Sequence, residues 1–127
     1  MNDRKTVLIV EDDKDHLKAL QIRLGAAGYE TIWASDGLQA VAAARREKPD
    51  AIVLDLGLPG GDGYQVLQRL KMLAPTSQIP ILVLSARDPA VHRARSLEAG
   101  AVAFFQKPAD ADALLKTLHE SCASQRR

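Results

Sequence analysis

Residues 51–63 read AIVLDLGLPGGDG, and this stretch decides the fold. A run of four apolar residues ends on a single carboxylate, Asp55, and a turn rich in proline and glycine follows. Apolar residues without polar alternation are typical of a strand that is covered on both faces. The stretch therefore predicts a buried strand that delivers one charged side chain to the end of a sheet.

Four further apolar runs of similar length occur along the chain, and segments with a helical period separate them. The five predicted strands contain residues 7–10, 31–34, 51–54, 81–84 and 102–105. Apolar residues recur three and four positions apart in the other segments, at Leu17, Leu20, Leu24 and Ala27, at Leu38, Val41 and Ala42, at Leu67, Leu70 and Ala74, at Ala90, Ala94 and Leu97, and at Ala111, Leu114, Leu115, Leu118 and Cys122. This alternation predicts a parallel five-stranded sheet with helices on both faces, a three-layer α/β domain.

The composition is that of one compact domain without a strong overall charge. The chain has 127 residues, of which 46% are hydrophobic, and its 17 basic and 16 acidic side chains leave a net charge of +1. This balance provides no general attraction to nucleic acid or to a membrane surface, so neither is expected as a direct partner. The apolar run at residues 7–10 is too short for a signal peptide or a membrane span. A cytoplasmic protein is therefore expected.

Polar side chains follow most of the predicted strands at the point where each strand ends. Those after the first, third, fourth and fifth strands include Glu11, Asp12 and Asp13, then Asp55, Ser85 and Lys107. Each has an ordinary explanation when taken alone, such as a helix start for the acids, a turn for the serine and a solvated surface position for the lysine. Because the carboxyl ends of parallel strands meet at one edge of a sheet, where α/β proteins bind ligands, the set together predicts a functional site.

Three carboxylates in one pocket repel each other unless a cation lies between them. Mg²⁺ prefers oxygen ligands and keeps several waters, so the acids predict a magnesium site. Its predicted ligands are Glu11, Asp12, Asp55 and the backbone carbonyl of Gly57. With the charge of Lys107 and the hydroxyl of Ser85 beside it, the site suits phosphoryl transfer to Asp55 as the nucleophile, since positioning and charge neutralisation supply most of that catalysis.

The motifs around these residues are VLIVEDD (7–13), LDLGLPGGDG (54–63), LVLSA (82–86) and FFQKP (104–108). In this order and spacing, the chain resembles a response-regulator receiver domain of two-component signalling, over about residues 5–121. The resemblance implies a flavodoxin-like (βα)5 fold with strand order 2-1-3-4-5. It also implies a single receiver domain over residues 1–127, without an output domain in this chain. Such a domain is a signalling switch rather than an enzyme, with self-phosphorylation and slow autodephosphorylation only.

The resemblance also implies a role for each site residue. Glu11 and Asp12 are the acidic pair, with Asp12 a direct Mg²⁺ ligand, while Asp13 begins a helix. Asp55 is the phosphoacceptor, which takes its phosphoryl group from the phosphohistidine of a sensor histidine kinase or a histidine phosphotransfer protein. Lys107 contacts that phosphoryl group.

Ser85 and Phe104 match switch positions of the family. The resemblance implies that the Ser85 hydroxyl turns toward the phosphoryl group and that Phe104 moves inward, which changes the face of helix 4, strand 5 and helix 5. A homodimer through this face is a further expectation. A permanently buried core ring is the alternative for Phe104. Gly57 and Arg87 match positions that tune hydrolysis of the acyl phosphate, and a cis peptide bond is implied before Pro108.

Three other functions fit parts of the pattern. A phosphorylation-independent protein-binding scaffold on the same fold remains the main alternative. A phosphatase of the haloacid-dehalogenase type is disfavoured because it needs a second aspartate two residues after the nucleophile, where Gly57 stands. A flavodoxin is disfavoured because Glu11, Asp12 and Asp13 would repel the flavin phosphate after the first strand. The cognate kinase, and whether the domain acts alone or within a longer protein, stay open.

Overall fold

The computed structural model describes residues 4–58 and 63–124, which form five strands and five helices in strict alternation. The strands are β1 (Thr6–Val10), β2 (Glu30–Ala34), β3 (Ala51–Leu54), β4 (Ile81–Ser85) and β5 (Ala103–Gln106). The helices are α1 (Lys14–Ala26), α2 (Gly37–Glu47), α3 (Gly63–Met72), α4 (Pro89–Glu98) and α5 (Ala111–Ser124). Each predicted strand is confirmed to within one residue at either end.

All five strands are parallel, and their order in the sheet is β2-β1-β3-β4-β5. In the register between β1 and its two neighbours, Val10 lies opposite both Ala34 and Leu54. The residues that follow these strands therefore come out side by side at one edge of the sheet. The order confirms the flavodoxin-like fold that the resemblance implies.

The sheet is covered on both faces, because alternate side chains of each strand point to opposite sides. On one face, Leu8 and Val10 pack with the buried side chains of α2 and α3. On the other face, Val7 and Ile9 pack with those of α1 and α5. The predicted three-layer arrangement is confirmed, and Cys122 is buried in the second of these layers as the helical pattern predicted.

The apolar stripe predicted for α2 is wrong in part. Val41 is buried as predicted, but Leu38 is 79% exposed and Ala42 also faces solvent, and the other buried positions are Ala40, Ala43 and Ala44. Small alanines bring α2 close to the sheet, and a leucine pattern does not detect a face made of alanine.

The weak stripe predicted for α4 is wrong as well. Ala90, Ala94 and Leu97 are all exposed, and the buried side chain of this helix is Ser96. Ala27 and Ala74, placed at the ends of two other stripes, are exposed residues beyond the ends of α1 and α3. These helices end earlier than the apolar pattern extends.

Local sequence signals set where several helices begin. The carboxylate of Asp13 accepts hydrogen bonds from the N–H groups of Asp15 and His16, which confirms Asp13 as a helix-start residue that caps α1. Asp36 caps α2 in the same way. Among residues 4–58 and 63–124, no helix combines the length and the apolar character that crossing a bilayer requires.

Candidate functional site

The backbone of the sheet places two of the acids next to each other. Asp55 donates its N–H to the carbonyl oxygen of Val10 at 3.1 Å, and Glu11 donates its own to the carbonyl oxygen of Ala34 at 3.1 Å. Both bonds continue the parallel ladder one residue past the strands. The acids are therefore held by the rigid end of the sheet rather than by a mobile loop.

Glu11, Asp12 and Asp55 converge as predicted. One carboxylate oxygen from each lies within 4.8 Å of the others. Glu11 is 2% exposed and Asp55 is 9% exposed, whereas Asp12 faces solvent. The cluster therefore offers two buried carboxylates and one solvent-exposed carboxylate as metal ligands.

Lys107 is the cation that reaches this cluster from β5. Its Nζ lies 2.9 Å from Oε1 of Glu11 and 3.4 Å from Oδ2 of Asp55. The backbone N–H of Lys107 donates to the carbonyl oxygen of Ser85 at 2.8 Å, and the peptide bond to Pro108 is cis, as the resemblance implied. Burial by itself lowers the pKa of Lys107, but the hydrogen bond to Glu11 and the charges of both carboxylates bring it above its ordinary value.

The two buried carboxylates differ in how well their charge is compensated. Burial raises the pKa of Asp55 above its ordinary value, and the N–H of Gly57 and the charge of Lys107 only partly offset this. Burial also acts on Glu11, but hydrogen bonds from Lys107, His16 and the N–H of Asp13 bring the pKa of Glu11 below its ordinary value. Asp55 is therefore the carboxylate whose burial is less fully compensated by its partners.

These residues fit a hard divalent cation. Mg²⁺ takes oxygen ligands, is usually bound through one or two carboxylates, and keeps several waters. The convergent oxygens of Glu11, Asp12 and Asp55 provide such ligands, and a cation there would stabilise the buried charge of Asp55, which Lys107 offsets only in part. Of Gly57, predicted as a carbonyl ligand, the structure shows that its N–H donates to Oδ1 of Asp55 at 3.1 Å.

The remaining predicted residues lie at the same edge or just behind it. Ser85 is buried, and its hydroxyl oxygen accepts the backbone N–H of Arg87 at 3.0 Å. Phe104 is 3% exposed, so its ring already lies inside the core, as expected for the buried alternative. The guanidinium of Arg93 lies 5.4 Å from the ring centroid and donates to the carbonyl oxygen of Phe104 at 3.1 Å.

Two residues at the site were not predicted from the sequence. His16 places Nδ1 2.6 Å from Oε1 of Glu11, and Trp33 donates its indole N–H to the carbonyl oxygen of Glu11 at 2.9 Å. The sequence feature that could have identified His16 is its position about one helical turn after the acids, next to the apolar stripe of α1. The corresponding feature for Trp33 is its position one residue before the end of β2. Part of the glycine-rich loop, residues 59–62, lies outside the described residues.

The raised pKa of Asp55 predicts how the stability of the metal-free protein depends on pH. The folded chain holds the Asp55 proton more tightly than the unfolded chain does, so the ionised group destabilises the fold above its raised pKa. This destabilisation disappears as the pH falls below the ordinary pKa. In excess chelator, Asp55→Asn is therefore expected to unfold a few degrees higher than the wild type at about pH 7, and the difference is expected to shrink toward about pH 4. Thermal melts at several pH values test this, and a difference that grows as the pH falls would contradict it.

Comparison with known proteins identifies the family. The sequence model described as "Response regulator receiver domain" matches residues 7–119. Protein PilH of Pseudomonas aeruginosa is 34% identical over 113 residues, which are 89% of this chain and 93% of PilH. The transcriptional regulatory protein PrrA of Mycobacterium tuberculosis is 42% identical over 102 residues, which are 80% of this chain and 43% of PrrA. The chain thus spans nearly all of PilH but less than half of PrrA.

A solved structure is similar in both fold and sequence. The receiver domain of the sensor histidine kinase PA1611 from Pseudomonas aeruginosa, with a magnesium ion coordinated in its active-site cleft, superposes with a TM-score of 0.85 at 30% identity. The match covers 94% of this chain and 98% of that one. Together, the sequence matches and this structural match show that the chain belongs to the response-regulator receiver domains. These are the signalling domains that act with histidine kinases in two-component systems.

Proposed function

We propose that Asp55 accepts a phosphoryl group, in a Mg²⁺-dependent reaction, from the phosphohistidine of a sensor histidine kinase or a histidine phosphotransfer protein. The observation that carries this proposal is the setting of the Asp55 carboxylate. It is buried, it lies 3.4 Å from the ammonium of Lys107, and it shares a pocket with the carboxylates of Glu11 and Asp12. The proposal is supported because a buried carboxylate, an ammonium group and two further carboxylates lie together.

The proposed reaction moves one phosphoryl group between two side chains. A carboxylate oxygen of Asp55 attacks phosphorus, the bond from phosphorus to the donor imidazole nitrogen breaks, and the imidazole takes up a proton. Mg²⁺, held by the carboxylates of Glu11, Asp12 and Asp55, would neutralise charge on the phosphoryl oxygens. Lys107, whose Nζ lies 3.4 Å from Oδ2 of Asp55, approaches these oxygens from the end of β5. The N–H of Gly57 holds the other oxygen, Oδ1, in place.

The acyl phosphate then changes the surface. It replaces one charge by about two and adds three acceptor oxygens, to which the Ser85 hydroxyl turns from Arg87. Because the Phe104 ring already lies inside, its proposed contribution is a change in its contact with Arg93 on α4. The altered face, formed by α4, β5 and α5, binds the next protein or a second copy of this chain. Slow hydrolysis of the acyl phosphate at Asp55 returns the domain to its unphosphorylated state. The proposed location of the protein is the cytoplasm.

Direct phosphorylation tests the proposal. The chain is incubated with Mg²⁺ and a small phosphodonor such as acetyl phosphate, and its intact mass is measured at once. We expect the mass of one phosphoryl group to be added in Mg²⁺ and little or none in excess chelator, because the acidic pocket repels an anionic donor without the cation. The absence of any adduct in Mg²⁺ would contradict the proposal and would favour the phosphorylation-independent scaffold.

A further inference from the structure

His16 lies in the first turn of α1, where its ring contacts the buried acid of the site. Its Nδ1 lies 2.6 Å from Oε1 of Glu11, and the same oxygen accepts the ammonium of Lys107 at 2.9 Å. The other oxygen of Glu11 accepts the N–H of Asp13 at 3.2 Å. For Nδ1 to lie this close to a carboxylate oxygen it must carry a hydrogen atom, so His16 donates. The buried Glu11 carboxylate is thus oriented by three donors, two from the start of α1 and one that follows β5.

Lys107 is shared between a residue that reacts and one that does not. In this structure its ammonium is nearer to Glu11, at 2.9 Å, than to Asp55, at 3.4 Å. A phosphoryl group on Asp55 brings further negative charge and acceptor oxygens, which attract the ammonium. A move of Lys107 toward them would take one donor away from Glu11, which is 2% exposed. His16 is the side chain that still donates to that oxygen.

We infer that His16 is a positioning residue, which holds the Glu11 carboxylate in the orientation that Mg²⁺ requires and keeps it there when Lys107 turns to the phosphoryl group. The inference rests on the proposed function. The donors that orient a metal-binding carboxylate affect metal affinity although they do not touch the ion, and their loss typically weakens binding by about 10–100-fold. The role depends on the hydrogen bond from Nδ1 and not on a charge on the ring.

Two substitutions separate the hydrogen bond from the bulk and the charge of the ring. His16→Leu removes the donor and keeps an apolar side chain of similar bulk. His16→Asn places an amide nitrogen near the position of Nδ1, so it retains a donor but is never charged. We expect the Kd for Mg²⁺, measured by isothermal titration calorimetry on the full chain, to rise about tenfold in His16→Leu and to stay within about threefold of the wild type in His16→Asn.

A second readout follows the same variants. Trp33 is the single tryptophan of the chain, and its indole N–H is bonded to the carbonyl oxygen of Glu11, so its fluorescence provides an independent Mg²⁺ titration. Thermal midpoints in excess chelator show whether each variant is folded at the temperature of the titration. A folded His16→Leu with weak Mg²⁺ binding, together with recovery in His16→Asn, supports the positioning role.

The outcomes that overturn the inference can be told apart from a failure of the proposed function. If the wild type binds Mg²⁺ and His16→Leu binds it equally well, His16 does not position Glu11. If both variants weaken equally, the retained donor is irrelevant and the inference is again wrong. If the wild type itself binds no Mg²⁺, the proposed function fails and the inference falls with it.

Discussion

Asp55→Asn is expected to abolish phosphorylation of this chain, lowering the amount of phosphoryl adduct by about 100-fold or more under conditions that label the wild type. An amide has no anionic oxygen with which to attack phosphorus, and it is a weaker ligand for a hard cation than a carboxylate is. The shape of the side chain is kept, and its amide oxygen can still accept the N–H of Gly57, which lies 3.1 Å from Oδ1 in the wild type. The change therefore removes the chemistry and leaves the local structure in place. Intact mass after incubation with Mg²⁺ and acetyl phosphate measures the effect.

The matched control is a carboxylate at the other end of the same strand. Asp50 precedes β3, accepts the backbone N–H of Thr6 at 2.8 Å, and lies 4.0 Å from the ammonium of Lys5. Asp50→Asn removes the same charge far from the site, and its adduct level is expected to equal that of the wild type. An adduct that survives Asp55→Asn would place the phosphoacceptor elsewhere. Loss of folding would not explain a negative result, because Asp55→Asn is expected to be the more stable protein in chelator at neutral pH.

Gly63→Ala is expected to destabilise the fold by about 3 kcal/mol and to lower the melting temperature by roughly 10 °C. A Cβ on Gly63 would overlap Cα of Leu56 and would lie 2.7 Å from the carbonyl oxygen of Leu56. The contacted atoms are backbone, so no side-chain rotation relieves the overlap. Leu56 is fully buried and directly follows Asp55, and its carbonyl oxygen accepts the N–H of Gly63 at 2.9 Å. The substitution must therefore push α3 away from the segment that carries the phosphoacceptor.

Gly25→Ala is the control for this effect. Gly25 lies within α1, and a Cβ there would meet no atom within 4 Å. Alanine favours a helix over glycine by about 0.5–1 kcal/mol, so Gly25→Ala should raise the melting temperature slightly. Thermal unfolding of the two variants beside the wild type makes the comparison. If Gly63→Ala proved as stable as the wild type, Gly63 and the backbone of Leu56 would not lie this close together in solution.

Much of the fold could be predicted from residues near one another in the chain. The run at residues 51–54 lacks polar alternation because both faces of β3 are buried, and the same holds for β4. The acids after β1, Asp55 after β3 and Lys107 after β5 were predicted to meet because parallel strands end at one edge. The strand order itself followed from the family resemblance, since strand patterns alone do not specify which strands are neighbours.

The sequence pattern failed where burial depends on the neighbouring element. The pattern predicts Leu38 on the buried face of α2, but that face consists of Val41 and three alanines, and Leu38 points to solvent. On α4, the buried side chain is the polar Ser96 rather than the apolar residues of the predicted stripe. Apolar character indicates a preference for burial, whereas the neighbouring elements decide which face has something to pack against.

By itself, the sequence determined the three-layer architecture, the strand ends and the identity of the charged residues that gather there, because these depend on local patterns and on a general property of parallel sheets. Only the tertiary structure decided how the charges are shared. It places Lys107 nearer to Glu11 than to Asp55, brings His16 and Trp33 onto Glu11, and presses Gly63 against Leu56. These contacts depend on distances of a few ångströms between segments that folding brings together, and no spacing along the chain specifies such distances.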